Sequence, residues 1–508
     1  MKKLWKLVLN RVVWVALAVI LQLSFFLYVN FWATAIKGWN SAVYVLTVVV
    51  VLYIMFGENQ KSSYKMVWVF LIALFPLFGI VLYLILGDKK FSKHKRKRLE
   101  EKIVKNVGET LESEEAKNAL MCTDPLLSRQ SMLITSLSRY GLWAHTQALY
   151  FSNGEDFLKD ALLELKKAKR FIFLEYFIIT PGKCWDSILE VLKEKVKEGV
   201  DVRVLYDDLG SAPSLPYLYD KKLQSFGIKA HPFNPIQIHI NPRLNFRDHR
   251  KIMNIDGDVC YTGGLNLADE YMNNTITHGY WKDNAVKIVG DGVWNLTLMF
   301  LKNWAFVTGE MPEDFALYKP SVHPKSDGFV QPFADSPLDY KNVALSGYVE
   351  LLNHAKKYVW ITTPYLILDE EITTTLIRVA LCGVDVRIIT PYVPDKKLVH
   401  EVTRSTYEKL VEAGVKIYEY TPGFIHSKTF VSDDEVAFVG TANLDYRSLY
   451  LHFELSIAFY RSSVVECVKQ DFLNAMGYSK LQSLEEIKKV SKIKKLERKF
   501  LQLFAPGL

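Results

Sequence analysis

The sequence predicts an α/β protein, in which two similar units form one site and an N-terminal transmembrane helical region precedes them. Three observations predict this. Half of the 508 residues are hydrophobic, and the excess is concentrated in three runs before residue 87. The stretch Gly199-Val200-Asp201-Val202-Arg203 returns as Gly383-Val384-Asp385-Val386-Arg387. A pattern of His, any residue, Lys, four residues and Asp occurs once after each of these stretches.

The apolar runs come first. Residues 12–36 are apolar apart from Gln22, Ser24, Asn30 and Thr34; residues 42–56 and 66–86 form the second and third runs. A membrane span needs about 20 apolar residues, so the first and third qualify and the second is short. Lys2, Lys3, Lys6 and the Ala33-Thr34-Ala35 triplet would suit a cleaved signal peptide. The apolar core is too long for one and two more runs follow, so the region reads as a retained anchor. Basic residues precede the runs, and seven Lys or Arg between Lys89 and Arg98 follow them. The positive-inside rule places both flanks in the cytoplasm, which requires an even number of spans. Pro76 and Gly79 interrupt the third run, so a re-entrant or interfacial segment is one way out of the conflict, and two full spans is the reading adopted.

The expected divisions are a membrane anchor over 1–88, a basic linker over 89–130, the two units over 131–322 and 323–480, and a C-terminal helix over 481–508. In each unit a strand (171–179; 359–366) precedes a helix (187–198; 371–382) and then the Gly-Val-Asp-Val-Arg strand. A further helix ends near Gly227 or Gly414. Strands alternating with helices indicate α/β units with largely parallel, buried strands. Gly227 lies 22 residues before His249, but Gly414 only 12 before His426. The first unit therefore carries an insertion over 232–242, either a substrate-selecting loop or a tolerated surface loop. In the C-terminal stretch Leu484, Ile487, Val490, Ile493, Leu496 and Phe500 recur every three to four residues among lysines, and Ser483 with Glu486 makes a capping box. Such a helix either lies on a membrane or packs onto the units.

The repeated pattern is His249-Arg250-Lys251 ending at Asp256, and His426-Ser427-Lys428 ending at Asp433. Gly263 and Asn266 stand 14 and 17 residues after the first His, as Gly440 and Asn443 do after the second. The surroundings are strand-like, so each His and Lys, two residues apart, project to the same side. Histidine serves as a nucleophile or a general acid near neutral pH, and lysine supplies a compact positive charge for phosphate oxygens. Two His and two Lys meeting face to face suit attack on a phosphodiester.

With these residues in view, the chain resembles the phospholipase D superfamily, and more narrowly the bacterial cardiolipin synthases. The matches run through Asn245-Phe246-Arg247-Asp248-His249-Arg250-Lys251, Gly263-Gly264-Leu265-Asn266, His426-Ser427-Lys428, Gly440-Thr441-Ala442-Asn443 and Asp445-Tyr446-Arg447-Ser448. The resemblance covers nearly the whole chain. It implies transfer of a phosphatidyl group between two phosphatidylglycerol molecules through a phosphatidyl-histidine, giving cardiolipin and glycerol. By analogy His249 is the nucleophile and His426 the acid. Lys251 and Lys428 hold the phosphate, Asn266 and Asn443 help, and Asp256 and Asp433 anchor the motifs. An acid downstream of each motif should orient its histidine: Glu454 lies 28 residues after His426, and Asp283 is the choice in the first half. No cofactor and no metal is implied.

The five cysteines show no paired spacing, which fits a reducing cytoplasmic face. The +8 net charge suits nucleic acid or anionic lipid. Its concentration after the apolar runs favours lipid, with no nucleic acid partner. The expected place is the bacterial cell membrane, crossed more than once, with the units facing the cytoplasm. Rivals are a membrane phospholipase D releasing phosphatidic acid, a tethered nuclease and a non-enzymatic scaffold.

Overall fold

The computed structural model describes residues 38–57, 62–86, 113–236, 245–337, 342–503 and 505, with isolated positions before residue 38. Most of the first apolar run, the basic cluster from Lys89 to Arg98, and residues 237–244 of the inserted region lie outside the described residues.

The strands of the first unit are β1 (Thr146–Phe151), β2 (Phe171–Tyr176), β3 (Asp201–Asp207), β4 (Lys229–Phe233), β5 (Ile252–Ile255), β6 (Val259–Gly263), β7 (Tyr280–Lys282) and β8 (Ala285–Gly290). All but β7 join one sheet, in the order β1-β8-β6-β5-β2-β3-β4. The second unit supplies β9 (Phe329–Asp335), β10 (Tyr358–Thr362), β11 (Asp385–Pro391), β12 (Lys416–Tyr420), β13 (Gly423–Ile425), β14 (Thr429–Ser432), β15 (Val436–Gly440), β16 (Glu454–Tyr460) and β17 (Ser479–Leu481). Its sheet runs β17-β12-β11-β10-β14-β15-β16-β9. With the edge strand β17 set aside, the two orders match strand for strand.

The sheets are mixed, where largely parallel strands were expected. β2, β3 and β4 are parallel, as are β10, β11 and β12. The strands after each motif run antiparallel to their neighbours. Local turn chemistry is the reason. The chain reverses tightly after β5 and β14, with positive φ at Asp256 and Gly257 and at Asp433 and Asp434. Asp, Asn and Gly are the residues that enter that region most readily, so a hairpin forms and no crossover helix is needed.

The helix Val293–Thr308 is apolar on nearly every face and buried along most of its length. Such a helix has to lie inside the protein. Asn303 donates to Glu175 and Asp248 of the first unit, and Asn295 donates to the Pro332 carbonyl of the second. Part of the stretch read as a linker also belongs to the core. The helices Glu114–Thr123 and Pro125–Ser138, capped by Ser113 and Asp124, bury Ala116, Leu120, Leu127 and Ile134. Gln130 donates to the Gly347 carbonyl of the second unit.

Near the N-terminus the helices are Trp39–Phe56, Ser62–Leu74 and Pro76–Leu86. Among the described residues, no helix is long and apolar enough to cross a membrane. The third apolar run, long enough for a span but interrupted by Pro76 and Gly79, is two helices meeting at Phe75. Trp68 of the first touches Tyr83 of the second, ring centres 5.4 Å apart. Fifteen residues of straight helix would separate them by about 22 Å, so the arms fold back on each other. A Cβ on Gly79 would lie 2.6 Å from the Ile72 Cα, so glycine is what lets the arms close. Pro76, with no N–H, opens the second arm at the position where proline is tolerated.

The C-terminal stretch is likewise broken, into Leu484–Lys488, capped by Ser483, and Lys492–Leu503. The second helix packs against the helix Lys397–Ser405, with Arg498 and Lys494 paired to Glu401.

Candidate active site

Each histidine lies at the end of a backbone hydrogen-bond chain joining the two units. β7 pairs in parallel with β13, and Asp248 bridges Phe453 in the same sense. The His249 amide donates to the Phe453 carbonyl at 2.9 Å, and the His426 amide to the Lys282 carbonyl at 2.7 Å. These carbonyls belong to the residues just before Glu454 and Asp283. The pairing therefore carries each acid to the histidine of the other unit.

Nδ1 of His249 meets Oε2 of Glu454 at 3.0 Å, and Nδ1 of His426 meets Oδ2 of Asp283 at 2.6 Å. The sequence reading placed an acid and its histidine in the same half; the structure crosses them. Both carboxylates are fully buried. In the first unit a glycine permits the approach. A Cβ on Gly264 would meet the Asp283 Oδ1 at 2.0 Å. In the second unit Thr441 stands at the matching position, and its hydroxyl donates to Glu454.

With Nδ1 engaged, Nε2 is the nitrogen left for chemistry. Both histidines line one cavity of about 620 Å³ together with Asn266, Asn443, Arg247, Arg447, Tyr271, Trp281, Tyr365 and His452. The lysines sit behind them. Lys251 Nζ donates to the His249 carbonyl at 2.5 Å, and Lys428 Nζ to the His426 carbonyl. Asn266 receives the Ile178 amide on Oδ1 and donates to the Tyr271 hydroxyl. Asn443 donates to Asp445, and its Oδ1 has no hydrogen-bond partner among the described residues.

Asp256 and Asp433 do not line the cavity. Asp256 accepts from the amides of Lys169, Arg170 and Phe171, and Asp433 from those of Lys356, Lys357 and Tyr358. Each ties the turn after its motif to the start of the neighbouring strand.

Two relatives are similar to this chain over most of its length. One, named cardiolipin synthase, from Halalkalibacterium halodurans, is 35% identical over 94% of this chain and 96% of its own. Another of that name, from Geobacillus kaustophilus, is 34% identical over 90% and 91%. The chain belongs to the cardiolipin synthase family. The family model described as cardiolipin synthase, PLD-like domain, matches residues 162–281 and 348–476, and one described as phospholipase D-nuclease N-terminal matches 44–87. The fold is similar to that of the solved phosphatidylserine synthase of Haemophilus influenzae, with a TM-score of 0.55 at 16% identity, over 75% of this chain and 97% of that one.

In this cardiolipin synthase family member burial sets the charge states. It lowers His249 to about 3 and His426 to about 4, against the raising effect of Glu454 and Asp283. It lowers Lys251 to about 7 and Lys428 to about 8. Burial acts to raise both acids, yet the facing histidines outweigh it and hold Glu454 well below and Asp283 below the ordinary carboxylate range. Both histidines are thus neutral near pH 7 in the empty cavity, and the positive charge there comes from Arg247, Arg447 and the lysines behind them.

Sequence reasoning missed two rings. His452 stands two residues before Glu454, and Trp281 two before Asp283. On a strand, i and i+2 share a face. Trp281 packs 5.6 Å from His426, and His452 packs 5.6 Å from His249. Aligning Leu451-His452-Phe453-Glu454 with Tyr280-Trp281-Lys282-Asp283 would have found both. His249, His452 and Glu454 also offer ligand atoms within 4.8 Å of one another, a set that could hold a metal ion. Taking one there would draw His249 Nδ1 or Glu454 away from their mutual hydrogen bond.

Proposed function

We propose that the chain transfers a phosphatidyl group from one phosphatidylglycerol to a second, releasing glycerol and forming cardiolipin. The observation that carries this is the pair of histidines on one cavity, each aimed by an acid of the opposite unit, within a chain of the cardiolipin synthase family.

His249 Nε2 attacks phosphorus, and the bond from phosphorus to the glycerol headgroup oxygen breaks. His426, as imidazolium, gives its Nε2 proton to that oxygen, and glycerol leaves. His426 is then neutral and takes the proton from a headgroup hydroxyl of the second lipid. That oxygen attacks, the phosphorus–nitrogen bond breaks, and His249 is regenerated. Splitting the transfer lets the two bulky anions meet the site in turn. Lys251 and Lys428 supply positive charge for the non-bridging oxygens, the role of preorganised groups in phosphoryl chemistry. Asp256 and Asp433 hold the motifs, and the amides of Asn266 and Asn443 face the bound phosphate.

Rings differ at the two ends. His426 packs against Tyr271, Trp281 and Phe424, at 5.5, 5.6 and 5.8 Å, and His249 against Phe177 and His452, at 5.0 and 5.6 Å. His249 shares Glu454 with His452, whose Nδ1 is 3.6 Å from the other carboxylate oxygen. Burial first, with Lys251 and His452 adding to it, lowers His249 and leaves it neutral, as a nucleophile must be.

The N-terminal helices anchor the chain in a bacterial membrane, with the catalytic units on the cytoplasmic face. Incubating membranes that carry the protein with pure phosphatidylglycerol, and identifying the lipid products, tests the activity. Cardiolipin with an equal amount of glycerol is expected; phosphatidic acid alone would make the chain a hydrolase.

A further inference from the structure

The C-terminal helix Lys492–Leu503 has two faces, and the catalytic chemistry uses neither. Its inner face is fixed. Lys495 pairs with Glu408 at 3.1 Å, Arg498 with Glu401 at 2.8 Å, and Lys494 with Glu401 at 3.3 Å. Ala505, just beyond it, is buried against Ile367 and Val402, with Leu501 and Val399 packed on the same cluster. Ile367 and Val399 also line the catalytic cavity. The helix is therefore seated on the cavity wall.

Its outer face carries Ile493, Leu496 and Phe500, which are 83%, 70% and 54% exposed. Their spacing of three and four residues makes one stripe. Lys492 and Lys499 are exposed along one edge of the stripe, Lys489 is exposed just before the helix, and Glu497 on the other edge is paired with Lys494. An apolar stripe edged with lysines is the pattern of a helix lying in the plane of a bilayer interface, with the lysines meeting anionic headgroups. The cavity rim agrees. Ile276, next to the cavity residue Thr277, is 82% exposed, and Leu398, next to Val399, is 58% exposed.

We infer that Lys492–Leu503 is a membrane-docking helix, which lays Ile493, Leu496 and Phe500 into an anionic lipid surface and seats the cavity mouth on it. The inference rests on the lipid-substrate reading above and adds how a headgroup reaches the histidines. A fixed helix on the cavity wall sets the height and tilt of the mouth over the bilayer. Lipid then enters from the side without being extracted.

The test reads depth without turnover. In full-length protein with the exposed Cys122, Cys382 and Cys467 changed to Ser, a spin label is placed at Leu496→Cys; Cys184 and Cys260 are buried. The protein is reconstituted in phosphatidylcholine vesicles with and without phosphatidylserine, which is anionic but not the proposed substrate. The label is expected to be shielded from a water-soluble nickel chelate and open to oxygen in the anionic vesicles. A label at Leu163→Cys, exposed on the first unit, stays open to the chelate. The triple variant Ile493→Ser, Leu496→Ser, Phe500→Ser should lose at least about tenfold in turnover on vesicles that also contain phosphatidylglycerol, since each buried apolar side chain is worth about a factor of ten or more. It should match the parent in detergent–lipid mixed micelles, which shows that it folds.

A label at 496 open to the chelate in both vesicles overturns the inference. So does an equal loss in vesicles and micelles, which would make the helix structural. A label already shielded in lipid-free detergent, with a dimer in sedimentation, would assign the stripe to a second copy of this chain. Should the substrate be a different lipid, the depth reading would stand while the cardiolipin assay failed.

Discussion

Asp283 and Glu454 show how much a single carboxylate decides in this site. Each is fully buried, and each holds Nδ1 of a histidine that its own unit does not supply. A substrate with an acidic leaving group, such as a nitrophenyl phosphodiester, needs no proton donor. General acid catalysis is worth about 10² to 10⁴ in rate. His426→Ala should therefore lose about that much on phosphatidylglycerol and recover most of it on the activated ester. Asp283→Asn, though in the first unit, should behave the same way. His249→Ala and Glu454→Gln should lose both activities. Recovery by His249→Ala would reverse the roles of the two histidines, and recovery by Glu454→Gln with it would confirm the crossing while exchanging the arms. A second expectation concerns charge. His426 near 4 is neutral at pH 7 in the empty cavity, and Lys251 near 7 and Lys428 near 8 are only partly and mostly charged. A bound anion favours their charged forms, so binding takes up protons. Titration calorimetry with inorganic phosphate at pH 7, in buffers of different ionisation heat, should show net uptake. Affinity should fall as the pH rises through about 7 to 8, where the lysines lose their charge. Release of protons, or affinity flat across that range, would contradict it.

At the scale of elements, the motif strands owe their place to the turns behind them. Asp433 accepts three backbone amides at the start of β10 and turns the chain with positive φ. Hydrogen bonds to a charged group are worth roughly 1.5 to 3 kcal/mol each, and part of that is regained from water. Asp433→Ala should destabilise the protein by about 2 to 4 kcal/mol, read as a lower midpoint in urea. A midpoint unchanged from the parent would mean that the turn forms without the carboxylate. The repeat was legible in the sequence because His, Lys, Asp, Gly and Asn keep their offsets in both units, and those offsets are local. The crossing was not. It depends on β7 meeting β13 and on Asp248 meeting Phe453, contacts between segments more than 140 residues apart. The spacing from a motif to the next acid carries no trace of which histidine that acid will reach. The apolar character of Val293–Thr308 likewise hid its role, because a mostly apolar run does not say which strands it packs against. The break at Lys489–Ser491 was missed because the periodicity of Leu484 to Phe500 continues across it.

For the whole molecule, the open question at the sequence level was parity: three apolar runs between two basic flanks. The folded-back arms Ser62–Leu74 and Pro76–Leu86 answer it physically. At 1.5 Å per residue, 13 and 11 residues reach about 20 and 17 Å, short of the roughly 30 Å hydrocarbon core. Trp68 against Tyr83 and Ile72 against Gly79 close them into one wedge, which also packs on Ile54 of the helix before it. On the proposed membrane reading, a wedge of that depth would enter and leave on the same side and drop out of the count, which would leave two runs to cross. Trp39–Phe56, at about 27 Å for 18 residues, falls a few Å short of the core, so a crossing there would require local thinning of the bilayer. Two crossings would return the chain to the side on which it began, where the lysines after residue 88 would be favoured by the anionic leaflet. A cytoplasmic fluorescent reporter fused after Leu508 should therefore be active, and alkaline phosphatase at the same point silent. The wedge itself is open to a separate check. Gly79→Leu would force the arms apart at Ile72, and a phosphatase fused after Leu508 in that variant should gain activity if the straightened segment now crosses. Phosphatase activity in the parent fusion would place the catalytic units outside and refute the parity argument at its root.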